Sequence, residues 1–172
     1  ELARRADLAE RAGSRAEAEA AWAGLVAANP DHPRALFARG RQRIEQGDPA
    51  GALELLLRAE GGDGRHAETP FYTALAHRML GNFPQAIAAI DRALAIDAYF
   101  FMALLSKGAL QEKLGQQKSA ARTYKNAIKI APPPERMPPT QRAAFDHAKA
   151  AGAAYAQSLA QYLREGTAEL RN

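Results

Sequence analysis

Three histidines and a glutamate form a set of residues in this chain that could be mistaken for a metal site. His66 and Glu68 stand two residues apart, and His77 and His147 follow later in the sequence. Two histidines and one carboxylate form the ligand set of non-haem iron enzymes. Such a site needs its ligands on a rigid frame. The sequence instead predicts His66 and Glu68 in a loop and His77 on the next helix, so we interpret all of them as ordinary loop and surface residues and expect no metal ion.

The glycine-rich segment Gly61-Gly62-Asp63-Gly64 is the one stretch that resembles a phosphate-binding loop. It lacks the Gly-Lys-Ser/Thr ending of such loops and follows no predicted strand, so we interpret it as a flexible joint. The sequence contains no Gly-x-Ser-x-Gly turn, its serines have no evident base partner, and it has no cysteine for thiol catalysis or disulfides. We therefore predict that this chain catalyses no reaction by itself and carries no cofactor.

Composition and charge exclude two further classes of partner. The chain has 23 basic and 19 acidic residues, a net charge of +4 and no long run of like charge. Nucleic-acid binding would need a clustered basic stripe and exposed aromatic residues for base stacking, so we expect no nucleic acid. No apolar run approaches the roughly 20 residues that cross a bilayer, and we expect no membrane association and a cytoplasmic location. Because the chain begins at Glu1 rather than Met, we expect a fragment or processed form.

The elements that must position any functional residue follow a period of 34 residues. A glycine recurs at this interval. An alanine stands five residues after it, a large side chain nine residues after it, and alanine or glycine seven residues before it. The glycines are Gly13, Gly47, Gly81 and Gly115; the alanines Ala18, Ala52, Ala86 and Ala120; the large residues Trp22, Leu56, Ile90 and Tyr124; and the small residues Ala6, Gly40, Ala74 and Gly108. A fixed period of this length is typical of a stacked repeat array.

Cap signals divide each repeat into two helices joined at the glycine. Ser14 followed by Glu17 predicts a capping box, and Asp48 followed by Pro49 predicts an N-cap and the first helical residue. Gln116 is a weak cap. The predicted pairs are 1–12 with 14–29, 34–46 with 49–60, 70–80 with 83–97, and 101–114 with 117–131.

A proline-rich linker over 133–139 follows the last pair, and we expect an extended, polyproline-like spacer there. A final helix is predicted over 140–172, with Lys149 where a fifth repeat would need glycine. Because a stacked array exposes apolar surface at its open end, we interpret this segment as a capping helix. Its apolar stripe is Ala144, Ala148, Ala151, Tyr155, Leu159 and Tyr162.

The repeat pattern resembles the tetratricopeptide repeat (TPR), whose unit is two antiparallel helices over 34 residues. The resemblance covers residues 1–132, divided into 1–32, 33–66, 67–100 and 101–132. It implies an all-α, right-handed solenoid of four helix pairs plus the C-terminal capping helix. The first helices depart from the family at two positions. The usual leucine eight residues before the glycine is replaced by Arg5, Arg39, Thr73 and Lys107, and the usual aromatic residue four before it by Ala9, Arg43, His77 and Gln111.

The resemblance also implies that a peptide or partner helix binds in a groove formed by the first helices. We predict a groove basic at one end and apolar at the other. Guanidinium groups suit carboxylates, so we expect a protein or peptide partner with acidic residues or a free C-terminus. The alternative is that the apolar residues are core and the arginines only solvate the array. The predicted partner-binding residues are Arg34, Arg41, Phe71, Tyr72, Arg78, Met79 and Met102.

Three alternatives to a free-standing peptide-binding adaptor stand beside this prediction. The carboxylate clamp of chaperone-tail-binding relatives needs an asparagine that these first helices lack, so we do not expect that activity. Residues 97–110 and 131–139 are similar to bacterial aspartyl/asparaginyl β-hydroxylase-type proteins, in which a TPR region precedes a 2-oxoglutarate- and iron-dependent domain. That implies a recruiting region whose catalytic domain lies outside this chain. Self-association through the last helix or the first pair is the third alternative.

Overall fold

The computed structural model describes residues 1–62 and 64–169, so Asp63 of the glycine-rich segment and the last three residues of the predicted capping helix lie outside it. Within this part of the chain the structure is all-α, which confirms the predicted fold class. The helices are α1 Leu2–Arg11, α2 Arg15–Ala28, α3 Pro33–Glu45, α4 Pro49–Gly62, α5 Glu68–Met79, α6 Phe83–Ile96, α7 Phe101–Lys113, α8 Gln117–Lys129 and α9 Pro139–Glu169.

The helices belong to two compact units. Residues 1–96 hold three helix pairs, in each of which a first helix packs along its second helix. Residues 97–172 hold the fourth pair, α7 and α8, and the described part of α9, which packs mainly on α8. The pairing of neighbouring helices across short glycine turns is the arrangement that the 34-residue period predicts.

The four turn glycines have left-handed backbone torsions, with φ of 74°, 77°, 77° and 72° for Gly13, Gly47, Gly81 and Gly115. A Cβ added at any of them would find no atom within 4 Å. Glycine is therefore required at these turns by backbone conformation and not by space, because a left-handed torsion brings a Cβ too close to the following carbonyl oxygen.

The small residues seven positions before each turn glycine are needed for space and not for backbone conformation. A Cβ on Gly40 would lie 2.7 Å from Leu56 Cγ, and one on Gly108 would lie 2.2 Å from Tyr124 Cε1. Here the absence of a side chain lets the first helix of a pair approach the large residue of its second helix. The alanines that follow the turns are buried at the same crossings, as predicted; they are Ala18, Ala52, Ala86 and Ala120.

One predicted capping box and one predicted helix end are wrong, and one N-cap is confirmed. Asp48 accepts a hydrogen bond from the Gly51 N–H at 2.9 Å, and this bond is the main reason that the pKa of its carboxyl is lowered. Ser14 makes no capping bond through its side chain, because its ψ of 80° is not the extended conformation of a capping residue. Helix α4 continues to Gly62, where a Cβ would lie 2.4 Å from Pro33 Cγ. Gly62 thus permits close packing on Pro33 of α3, and the helix runs two residues beyond its predicted end.

The proline-rich linker is not simply extended. Residues Pro134–Arg136 form a 3₁₀ turn, and the Met137 side chain that follows is buried. Helix α9 begins at Pro139, and its first half packs through Phe145 and Ala148. Further along, the predicted apolar stripe is exposed, with Leu159 at 45% and Tyr162 at 72% of their full accessibility. The linker thus contributes a buried side chain of its own, and the last two residues of the predicted stripe are left uncovered.

Candidate partner-binding surface

The first helices α3 and α5 meet through an aromatic cluster. Phe37 and Tyr72 pack edge to face with ring centroids 5.5 Å apart, and Phe71 and Tyr72 do so at 6.0 Å. Such edge-to-face pairs stabilise packing beyond their buried area. Phe71 is 9% exposed, so it belongs mostly to the interior, whereas Tyr72 is half-buried. Of the two predicted aromatic contacts, Tyr72 keeps the larger accessible surface.

Arg34 is not an open cation. It is 9% exposed, and its guanidinium forms an ion pair with the carboxylate of Asp7 on α1. The same guanidinium carbon lies 5.0 Å from the centre of the Trp22 ring and 5.6 Å from that of Phe37, within the range of cation–π attraction. Arg34 therefore joins three helices, and its charge is already paired. Sequence spacing gave no sign of this, because Asp7 precedes Arg34 by 27 residues.

Helices α2 and α3 leave a cleft of about 480 Å³ between them, which we call the α2–α3 cleft. Arg41 lies in its lining and pairs with Glu45, one turn further along α3, at 4.0 Å. Arg39, which replaces the leucine usual at this position, also lines it. The cleft is lined by Glu19, Trp22, Ala23, Val26 and Ala27 from α2, and by Ala38, Arg39, Arg41, Gln42 and Glu45 from α3. The sequence showed the departure at Arg39 but not the space it leaves.

The C-terminal end of α5 presents a cation beside apolar groups. Arg78 is exposed, Met79 is 46% exposed, and Leu75 is half-buried one turn earlier. Tyr72, Leu75 and Met79 follow at spacings of three and four residues, which places them on one helix face. Among the side chains that the structure describes, Arg78 has no ion-pair or hydrogen-bond partner.

We call the surface of Arg41, Tyr72, Leu75, Arg78 and Met79 the groove face. Phe37, one turn before Arg41 on α3, contacts Tyr72 on α5, so the rows on the two helices are neighbours. Arg41 and Arg78 lie towards the C-terminal ends of α3 and α5, and Tyr72 lies towards the N-terminal end of α5. Charge on this face therefore changes along the helices, and the predicted change from one end of the groove to the other stays a prediction.

A polar network occupies the positions where α5 departs from the family. Glu60 on α4 accepts hydrogen bonds from Thr73 Oγ1 at 2.5 Å and from Arg92 Nε at 2.9 Å. His77 lies near both charged groups, and burial, followed by the charge of Arg92, lowers the pKa of its imidazole. The polar residues on α5 are thus accommodated by a bridge from α4 to α6, away from the groove face.

In the unit of residues 97–172, Met102 is half-buried on α7. The main polar feature there is Glu112, which receives hydrogen bonds from the Tyr124 hydroxyl at 2.5 Å and from His147 Nε2 at 2.7 Å. Burial alone would raise the pKa of Glu112, but these two bonds outweigh it and the pKa is lowered. Burial and the neighbouring carboxylate raise the pKa of Tyr124. His147 therefore ties α9 to α7.

Among the side chains that the structure describes, no three from histidine, aspartate and glutamate lie close enough together to hold a metal ion. Across residues 1–62 and 64–169, no helix has the length and apolarity that crossing a membrane requires.

The geometry of the chain is that of a helical-repeat protein built on 34-residue helix pairs. A sequence profile of the tetratricopeptide repeat matches three overlapping segments, residues 4–67, 40–99 and 73–133. Together they span more than half of the chain. The chain belongs to the tetratricopeptide repeat family.

Solved structures agree on the fold. The crystal structure of MamA has a TM-score of 0.63 and 20% identity, and the match covers 97% of each chain. The Arabidopsis OM64 TPR domain has a TM-score of 0.58 and 22% identity over 67% of this chain and 93% of that one. The first TPR of Spaghetti (RPAP3), bound to the HSP90 peptide SRMEEVD, has a TM-score of 0.59 and 19% identity over 70% and 95%.

Proposed function

We propose that this chain is a non-catalytic scaffold that binds a peptide or partner segment along the groove face. The observation that carries the proposal is the exposed end of α5, where Arg78 has no partner among the described side chains and the next residue, Met79, is 46% exposed. A guanidinium binds carboxylates through paired hydrogen bonds, and methionine adapts its shape to different apolar partners. The surface therefore suits a segment that places an acidic residue next to an apolar one.

Arg34 and Phe71 enter this proposal as supports of the surface and not as its contacts. Arg34 is held by Asp7, and Phe71 lies against Tyr72 in the aromatic cluster. Met102, from the other unit, remains a predicted contact. The peptide-bound structure of RPAP3 supports the general mode of binding, because its ligand is an acidic peptide on the same fold.

The test is a titration of fluorescently labelled acidic octapeptides with free C-termini, read by anisotropy. Loss of one charge-assisted contact is worth about 1.5–3 kcal/mol, so Arg78→Gln should weaken binding roughly tenfold or more. Arg122→Gln, on the exposed side of the second helix α8, is the matched control and should bind like the unaltered chain. Absence of saturable binding, or equal weakening by both variants, would overturn the proposal.

Two alternatives stay predictions of the sequence. If the chain is the recruiting region of a hydroxylase, the coding sequence after Asn172 should encode an iron-binding oxygenase domain, and removing residues 1–172 should alter its 2-oxoglutarate turnover on a protein substrate. If it self-associates, its mass in solution should rise with concentration, as measured by light scattering after size exclusion.

A further inference from the structure

The α2–α3 cleft combines an apolar wall with charged groups. Trp22 and Val26 form the apolar side together with small alanines, and the arginines of α3 lie opposite. Organic ligands in proteins occupy clefts of about 300–1,000 Å³ lined mainly by apolar groups, with a few polar groups that fix orientation. The volume of about 480 Å³ falls in this range. The cleft has the size and the mixed lining of a ligand site.

The charged residues that line the cleft differ in whether they have an ion-pair partner. Arg41 is paired with Glu45, whose side chain is 69% exposed, and Glu19 is an exposed residue of the lining. Arg39 is half-buried and has no ion pair or hydrogen bond with any side chain that the structure describes. The nitrogens of the Arg39 guanidinium are not buried and reach solvent. An anion that enters the cleft can therefore form charge-assisted hydrogen bonds with them.

We propose that the α2–α3 cleft is a second binding site that takes an apolar group bearing a carboxylate. The apolar part packs against Trp22 and Val26, and the carboxylate pairs with the Arg39 guanidinium. No residue of α5 lines this cleft, and Arg41 is the residue it shares with the groove face. The site therefore does not depend on the function proposed for the groove face. Its ligand is either a free amphipathic carboxylic acid or the C-terminal residue of a peptide.

Ligand binding in the cleft can be measured by the fluorescence of Trp22, because it is the single tryptophan of the chain and it lines the cleft. Its fluorescence is followed while decanoate or a tetrapeptide ending in leucine with a free carboxylate is added. Decanol and the amidated tetrapeptide are the uncharged controls. A saturable change with decanoate assigns a free acid, and one with the tetrapeptide assigns a chain terminus. No saturable change with either, or an equal change with the uncharged controls, would overturn the proposal.

A substitution at Arg39 separates binding from folding. Arg39→Leu introduces the residue usual at this repeat position, fills part of the cleft and removes the cation. This variant should bind the acid at least tenfold more weakly, so the fluorescence change of Trp22 should be lost. Its melting temperature should stay the same or rise. Arg5→Leu, at the same position one repeat earlier and exposed on α1, should bind normally, as should Arg78→Gln. Undiminished binding by Arg39→Leu, or equal loss in Arg5→Leu, would overturn the assignment.

Discussion

Replacing Gly108 by alanine tests the close approach of α7 and α8. The added Cβ would lie 2.2 Å from Cε1, 2.5 Å from Cδ1 and 2.8 Å from Cζ of the Tyr124 ring. Ordinary contacts of a Cβ are 3.4–4 Å long, so the ring must retreat by more than 1 Å. Tyr124 is 1% exposed and its hydroxyl is bound to Glu112 at 2.5 Å, so it has little room to move.

Effects of opposite sign determine how much Gly108→Ala changes the free energy of unfolding. Alanine is favoured over glycine inside a helix by about 1 kcal/mol. Overpacking a well-filled site costs about 1–3 kcal/mol, and weakening a hydrogen bond to a charged group costs up to about 1.5–3 kcal/mol more. The expected net loss is about 2 kcal/mol, and at about 2–4 °C per kcal/mol for a chain of this size the melting temperature should fall by roughly 4–8 °C.

The assay is urea unfolding followed by circular dichroism, with unchanged dependence on urea concentration as the condition for comparing midpoints. Gly152→Ala is the matched control, because it lies in α9 with no atom within 4 Å of the new Cβ and should stabilise slightly. A double variant, Gly108→Ala with Tyr124→Ile, reproduces the residue pair of the third repeat and should cost less than the two single changes added together. If Gly108→Ala stabilises as much as Gly152→Ala, the reasoning is refuted.

Three further predictions concern the third helix pair. Ala86→Leu should lower the free energy of unfolding by about 1–3 kcal/mol, because Ala86 is fully buried, while Ala88→Leu on the exposed side of the same helix should change the urea midpoint little. Gly81→Ala should cost about 1–2 kcal/mol through its left-handed torsion alone, and an unchanged midpoint would disprove that cause. His77 has a lowered pKa when folded, so the unfolded chain binds its proton more readily, and stability should fall as the pH drops below about 6.5. His77→Gln should make the melting temperature depend less on pH between about pH 7.5 and pH 5. An unaltered dependence on pH would contradict this.

The period predicted the helices and turns because their causes are local. A left-handed glycine, a buried alanine five residues later and an N-cap such as Asp48 each act within a few residues of one another. The same local reasoning failed at Ser14, where residue type indicated a cap but the backbone has another conformation. It failed again at Gly62, because the packing partner that requires the glycine is Pro33, at the start of the other helix of the pair.

The candidate surface was only partly predictable, because its members depend on contacts between repeats. Arg34 belongs to the first helices in sequence, yet its pairing with Asp7 one repeat earlier withdraws it from the surface. Arg78 and Met79 are open, as expected for residues near the end of a first helix. The α2–α3 cleft could not be read from residue types, since it arises from what two helices jointly leave unfilled around Arg39.

The α2–α3 cleft also has a consequence for how the array unfolds. Helix pairs in a linear array share stability only through the interfaces with their neighbours. Helices α4 and α5 pack extensively and are bridged by Glu60. Helices α2 and α3 touch at few points, and the ion pair of Arg34 on α3 with Asp7 on α1 is a further tie between the first pair and the second. The first pair is thus weakly coupled to the second, and it should melt in a separate, earlier step. A ligand that fills the gap would join the two steps into one, so occupancy of the cleft would be visible as a gain in cooperativity.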